Sequence, residues 1–119
     1  MTLYEKIQEL EKEIELKGAI VFNTPYKKIR TILGIENGKI KYSHTTGRIS
    51  EFDIDLFYRD YLLLKDLGFL TSDMIKAFNK RFKNGNKPCN ATTFMLLMEK
   101  FYGCKFIRGK NGEQSIIYW

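Results

Sequence analysis

Asn37-Gly38 is the feature that most narrows what this chain can fold into. It sits between Lys28–Ile35 and Ile40–Ser43, two runs rich in β-branched and aromatic residues. Both central residues of a type I′ turn need positive φ, which Asn tolerates and Gly adopts freely. The twist of that turn matches two antiparallel strands, so a hairpin is expected here. On the second strand Ile40 and Tyr42 alternate with Lys39, Lys41 and Ser43. One face is then apolar and the other basic. Lys28 and Arg30 join the basic face if the register permits.

The surroundings of the hairpin carry a helical period. Leu3, Ile7, Leu10 and Ile14 form a stripe that Gly18 ends, which predicts an amphipathic helix. The same spacing fits two heptads, so the helix either packs on its own domain or pairs in a homodimer. Ala19–Asn23 reads as a short strand broken by Thr24-Pro25, and Arg48-Ile49-Ser50 begins another. Ser50 or Asp53 then caps a helix with Ile54, Phe57, Tyr61, Leu64 and Leu67 inward and Gly68 at its end. Thr71 or Ser72 caps a second, with Met74, Ile75, Phe78 and Phe82 inward. Pro88 and Asn90 lead into a third, with Phe94, Leu97, Met98 and Phe101 inward and Gly103 as its stop. Cys104–Arg108 and Ser115–Trp119 close the chain as a second hairpin.

The fold class is therefore α+β. An N-terminal helix and small antiparallel sheet (1–50) precede a half of three helices and a β-hairpin (51–119), within one domain of 119 residues. No apolar run reaches the roughly 18–20 residues that span a bilayer, so no membrane partner is expected. Cys89 and Cys104 flank the third helix of the second half, too far apart for a disulfide, and read as free thiols of a reducing cytoplasm.

Charge is unevenly spread along the chain. Residues 27–48 are net +5 and residues 74–119 net +7, while residues 1–17 are net −2 and 49–73 net −4. A formal total of +6 suits a polyanionic partner. The order support helix, two further helices and hairpin is that of a winged helix-turn-helix. The support helix spans 51–67, the first helix of the motif 72–83, the recognition helix 90–102 and the wing 104–119. Lys105, Arg108 and Lys110 populate the wing, and Lys80, Arg81, Lys83 and Lys87 the approach to the recognition helix. Asn90, Thr92 and Thr93 stand at that helix's N-terminus, where short polar side chains suit phosphate or base edges. From the first half, Lys28, Arg30, Lys39, Lys41 and Arg48 complete the candidate nucleic-acid-binding set.

The run Phe78-x₃-Phe82, Pro88, Phe94-x₂-Leu97, Gly103, Arg108-Gly109 and Tyr118-Trp119 resembles the C-terminal winged-helix segment of viral and phage primase-helicases. That resemblance covers the last 45 or so residues. It implies nucleic-acid binding and carries over no catalytic residue.

Catalytic readings are weaker. Glu51, Asp53 and Asp55 do not share one face of a helix, and acidic residues favour a first helical turn through the macrodipole. His44, the one histidine, reads as a surface residue in a polar turn with no orienting carboxylate at recognisable spacing. No cofactor is expected. Most of the seven Tyr and nine Phe fall on core faces, while Tyr26, Tyr42, Tyr102 and Tyr118 are open to stacking or interface roles. The sequence thus points to a small, non-enzymatic nucleic-acid-binding protein, with DNA ahead of RNA. Its Lys-, Ile- and Asn-rich wording suggests a bacterial or phage genome. The alternative is an adaptor or inhibitor that meets an acidic protein surface on a host nucleoprotein complex.

Overall fold

The computed structural model describes residues 2–24, 28–82, 87–109 and 113–119. Its first helix, α1 (Leu3–Lys17), starts where the Thr2 hydroxyl accepts from the Glu5 N–H at 3.2 Å. It stops at Gly18, whose φ of 83° a side chain would resist. Leu3, Ile7, Leu10 and Ile14 are all buried, as the stripe predicts. They lie on the side that packs on a four-stranded antiparallel sheet, β1 (Ile20–Thr24), β2 (Lys28–Glu36), β3 (Lys39–Ser43) and β4 (Ile49–Asp53), in sequence order.

The β2–β3 connection is the expected turn, with φ 52° at Asn37 and 73° at Gly38. Nothing lies within 4 Å of where a Gly38 Cβ would stand, so replacing it costs backbone conformation alone. Gly38→Ala should lower stability by about 1 kcal/mol in urea titration, and an unchanged midpoint would refute the turn's role.

Register decides which side chains share the core face. Ile20, Ile32 and Tyr42 lie side by side across β1, β2 and β3, and Ile40 lies opposite Phe52 of β4; all five are buried. Pairing jumps from Ile32↔Tyr42 to Gly34↔Lys41, leaving Leu33 as a bulge in β2. Before that bulge, Arg30 is on the same face as Ile32 and is itself buried. The expectation that Arg30 joins the basic face is corrected on this point: two residues from Ile32 on one strand, it must point inward.

A second correction falls at β4. Residues 49–53 are strand, and the helix expected from 51 begins at Ile54 as α2 (Ile54–Leu67). Opposite charges across β3 and β4, Lys39↔Asp53 and Lys41↔Glu51, favour that pairing, and Phe52 fills the core. The Asp53 carboxylate still serves the helix start, accepting from the Asp55 N–H at 2.9 Å. Ser50 does not, because its hydroxyl meets His44.

The chain divides into two compact units, Met1–Asp55 and Leu56–Trp119. In the second, α2 turns through Gly68 into β5 (Phe69–Thr71), followed by α3 (Ser72–Asn79), α4 (Pro88–Tyr102), β6 (Lys105–Ile107) and β7 (Ile116–Tyr118). The last hairpin was legible in the sequence and β5 was not. The three short strands form an antiparallel sheet in the order β5-β7-β6.

Phe57 of α2, fully buried, meets Phe94 and Phe101 of α4 edge-on at 5.0 and 6.3 Å between ring centroids. The buried stripe of α2 is Leu56, Phe57, Asp60, Tyr61 and Leu64. Leu67, expected inside, is exposed, and Ile54 is half-buried. α3 is shorter than the expected 72–83. It buries Ile75 and Asn79, whereas Met74, Phe78 and, beyond its end, Phe82 are half-buried. The Thr71 hydroxyl caps it, accepting from the Met74 N–H at 3.2 Å. Among the described residues both cysteines are free, and no helix is long and apolar enough to cross a membrane.

Candidate nucleic-acid interface

Among the described candidate cations of the first unit, Arg30, Lys39 and Lys41 are answered by neighbours. Lys39 and Lys41 point to the open face of the sheet, as alternation requires. Lys41 pairs with Glu36 at 2.7 Å and Lys39 with Glu51 at 3.5 Å. The ammonium beside it holds the Glu36 carboxyl below its ordinary value, and Glu36 in turn raises Lys41. This face is a mixed-charge ladder, with Val21, Ile29 and Ile49 also exposed on the strands. Lys28 holds the first position of β2, opposite Thr24, and Arg48 is exposed just before β4.

Arg30 has a structural task instead. Its Nη1 donates to His44 Nδ1 at 2.9 Å, and its guanidinium lies 5.3 Å from the Tyr42 ring centroid. A guanidinium cannot accept a hydrogen bond, so in the neutral ring the proton sits on Nε2. Nε2 then donates to the Ser50 hydroxyl at 2.7 Å. His44 thus ties β2 to β4 across the end of β3, more than the surface residue expected of it. Tyr42, left open in the sequence, is fully buried.

In the second unit the cations sit differently. Lys80 and Arg81 are exposed on the turn after α3, and Lys105 is exposed on β6. Lys87, at the N-terminus of α4, and Arg108, just beyond β6, are half-buried. Among the described residues none of these five forms an ion pair with a carboxylate. Arg108 Nη1 is buried without a hydrogen-bond partner there. Lys83, Lys110 and Tyr26 lie outside the described residues.

α4 itself is nearly all interior. Asn90, Ala91 and the whole run Thr93–Met98 are buried, and its exposed positions are few, Glu99 and Lys100 among them. Thr93 is corrected as a contact residue: it is fully buried and its hydroxyl donates to the Cys89 carbonyl at 3.0 Å. Thr92 is half-buried. A helix that reads base edges needs an open side along its middle, and this one lacks it.

The open face of the small sheet was not anticipated. Phe69, Tyr118 and Lys105 align as one row across β5, β7 and β6, and all three are exposed. Tyr118 is a stacking candidate by its sequence position, whereas Phe69 joins it only through the folded register. On the helix side, Trp119 meets Tyr61 and Tyr102 at 5.8 and 5.3 Å, with the Lys65 ammonium 5.9 Å from its ring. Among the described residues no group of three His, Cys, Asp or Glu side chains is placed to hold a metal ion.

The other unforeseen site is internal. Asn79 Nδ2 donates to both carboxylate oxygens of Asp60, at 2.9 and 3.0 Å, and both residues are buried. Burial pushes the Asp60 carboxyl up to about 7, against the smaller lowering effect of Asn79. Asn79 Oδ1 has no partner among the described residues.

No family model, curated protein or solved structure matches this chain.

Proposed function

We propose that this chain is a non-enzymatic nucleic-acid-binding protein that grips phosphate through its second unit. The observation that carries this reading is the segregation of charge between the units. Residues 1–55 hold nine Lys and Arg against nine Asp and Glu, net zero. Residues 56–119 hold eleven against five, the full net +6 of the chain. A local excess of that size draws a polyanion and releases its counterions.

The helix, helix, helix and hairpin order supports a winged-helix-like reading of this unit, with β6 and β7 as the wing. Within it, contact falls to the rim of α4, to Lys80, Arg81 and Lys87, and to Lys105 and Arg108 by the hairpin. The buried middle of α4 favours phosphate contact over base reading.

Anisotropy of labelled DNA and RNA oligonucleotides, at about 50 and about 200 mM salt, tests the proposal. Several phosphate contacts should weaken binding roughly a hundredfold across that range. Charge reversal at Lys80, Arg81 and Lys87 together should weaken low-salt binding by about a hundredfold or more and flatten the salt slope by about 2 to 3. Unchanged affinity in that variant removes the assignment of these residues. Failure of the unaltered chain to bind at micromolar concentration removes the reading in favour of an acidic protein partner.

A further inference from the structure

We propose that the open face of the β5-β7-β6 sheet is a stacking platform for the bases of a single-stranded nucleic acid. Phe69 and Tyr118 are the stacking rings and Lys105 the adjoining phosphate contact. This rests on the polyanion-binding reading above and adds to it the strand type and the contact face.

Leu70 and Ile117, in the middle row of the sheet, are fully buried, so their neighbours along each strand point the other way. An antiparallel sheet with one side on its core ordinarily shows polar residues on the other. Here the outward set is Phe69, Tyr118 and Lys105 in one row and Thr71, Ile116 and Ile107 in the other. Phe69 is 42% exposed, Tyr118 39% and Ile107 55%. Two aromatic rings left this open on so small a sheet have no account in the core.

Chemistry selects the occupant. The six outward residues include no carboxylate and one lysine, in a unit of net +6. That favours an anionic ligand over a neutral apolar one. A flat ring meets a base by its π-face, and in a duplex those faces are hidden in the stack with only base edges in the grooves. A single strand offers them. Adjacent strands lie about 4.8 Å apart, so neighbouring rings in the row can each meet one base while the lysine beside them reaches the backbone. With one base on each ring, the platform holds about two bases.

The test uses the full chain, labelled 15-nucleotide oligo(dT) and oligo(rU), and two polyanions without open base faces, a 15-base-pair duplex and heparin. F69A and Y118A should each weaken single-strand binding about tenfold, and together about a hundredfold, while heparin affinity stays within about twofold. Y118F, which keeps the ring, should bind as the unaltered chain does. Where an alanine variant fails to fold by circular dichroism, F69L and Y118L, which keep apolar bulk without a ring, replace it with the same expectation. Unchanged single-strand affinity in the double variant overturns the platform and leaves the polyanion reading standing. Equal losses for oligonucleotide and heparin overturn it too. Absence of binding to all four probes by the unaltered chain removes both readings.

Discussion

Asp60→Asn should stabilise this protein at pH 8, by about 2 to 4 kcal/mol, and should change little at pH 4. The expectation follows from where the carboxyl lies. Asp60 is buried, and Asn79 is its one side-chain partner among the described residues. Its folded-state value of about 7 stands above an ordinary value of 3.8. A raised aspartate binds its proton more tightly in the folded state than in the unfolded one. Below pH 4 both states are protonated and the residue costs nothing. Between about pH 4 and pH 7 the unfolded chain ionises first, and stability falls by roughly 1.4 kcal/mol per pH unit. Above about pH 7 the loss levels off, near 4 kcal/mol for a separation of about three units.

Asparagine at the same place is neutral at every pH and keeps the shape. Its carbonyl can accept from Asn79 Nδ2; its amide replaces the second oxygen that Nδ2 contacts, so the two amides must turn for that NH2 to reach Asn79 Oδ1, the acceptor left without a partner among the described residues. Urea unfolding of both proteins from pH 4 to pH 8 isolates the effect, since every other titrating group cancels in the difference. A gap that opens with rising pH is expected. A gap that is flat, or an Asp60→Asn variant less stable than the unaltered chain at pH 8, would show that the buried carboxylate is better solvated than its surroundings indicate. The buried carboxyl is no contact residue in the binding proposal, so the proposed nucleic-acid affinity should be the same in the variant as in the unaltered chain.

The sequence was most informative where one local rule spoke alone. The helical stripe of Leu3, Ile7, Leu10 and Ile14 and the Asn37-Gly38 turn each appear as expected, because spacing and φ preference act over a few residues. It misled where a long-range partner decided. Ser50-x-x-Asp53 has the look of a helix start, but Lys39, Lys41 and Ile40 on β3 hold residues 49–53 as a strand. Arg30 reads as surface by its charge, yet Ile32 beside it fixes its face inward, where His44 and Tyr42 receive it. Asp60 sits at a position the helical stripe could have reached, but a charged residue argues against burial until its partner, 19 residues away, is known. For the interface, Lys80, Arg81 and Lys105 were legible as exposed cations. The Phe69–Tyr118–Lys105 row was not, since it joins three strands of three residues that only the folded register aligns.

Phe57→Ala should cost about 3 to 5 kcal/mol, and Phe57→Leu about 1 to 2. Phe57 is fully buried and stands between two rings of α4, edge-on to Phe94 at 5.0 Å and to Phe101 at 6.3 Å. Truncation removes a large apolar surface from the core, leaves a cavity that backbone helices close only in part, and forfeits the ring-edge contacts. Leucine keeps most of the volume and loses mainly those contacts. Against a typical domain stability of about 5 to 15 kcal/mol, the alanine loss populates unfolded chain at ordinary temperature where the starting stability lies at the low end of that range, and under mild urea elsewhere. The consequence for the proposed binding is indirect, because Phe57 is fully buried and its ring partners are the α4 rings Phe94 and Phe101. Under the proposed function, oligonucleotide binding by the alanine variant should track its folded fraction as urea or temperature is varied, with affinity per folded molecule unchanged. A loss below about 1 kcal/mol in urea would mean that Phe57 is not a keystone of the second unit. Weakened binding per folded molecule of Phe57→Ala would overturn the expectation that the buried ring acts through stability alone.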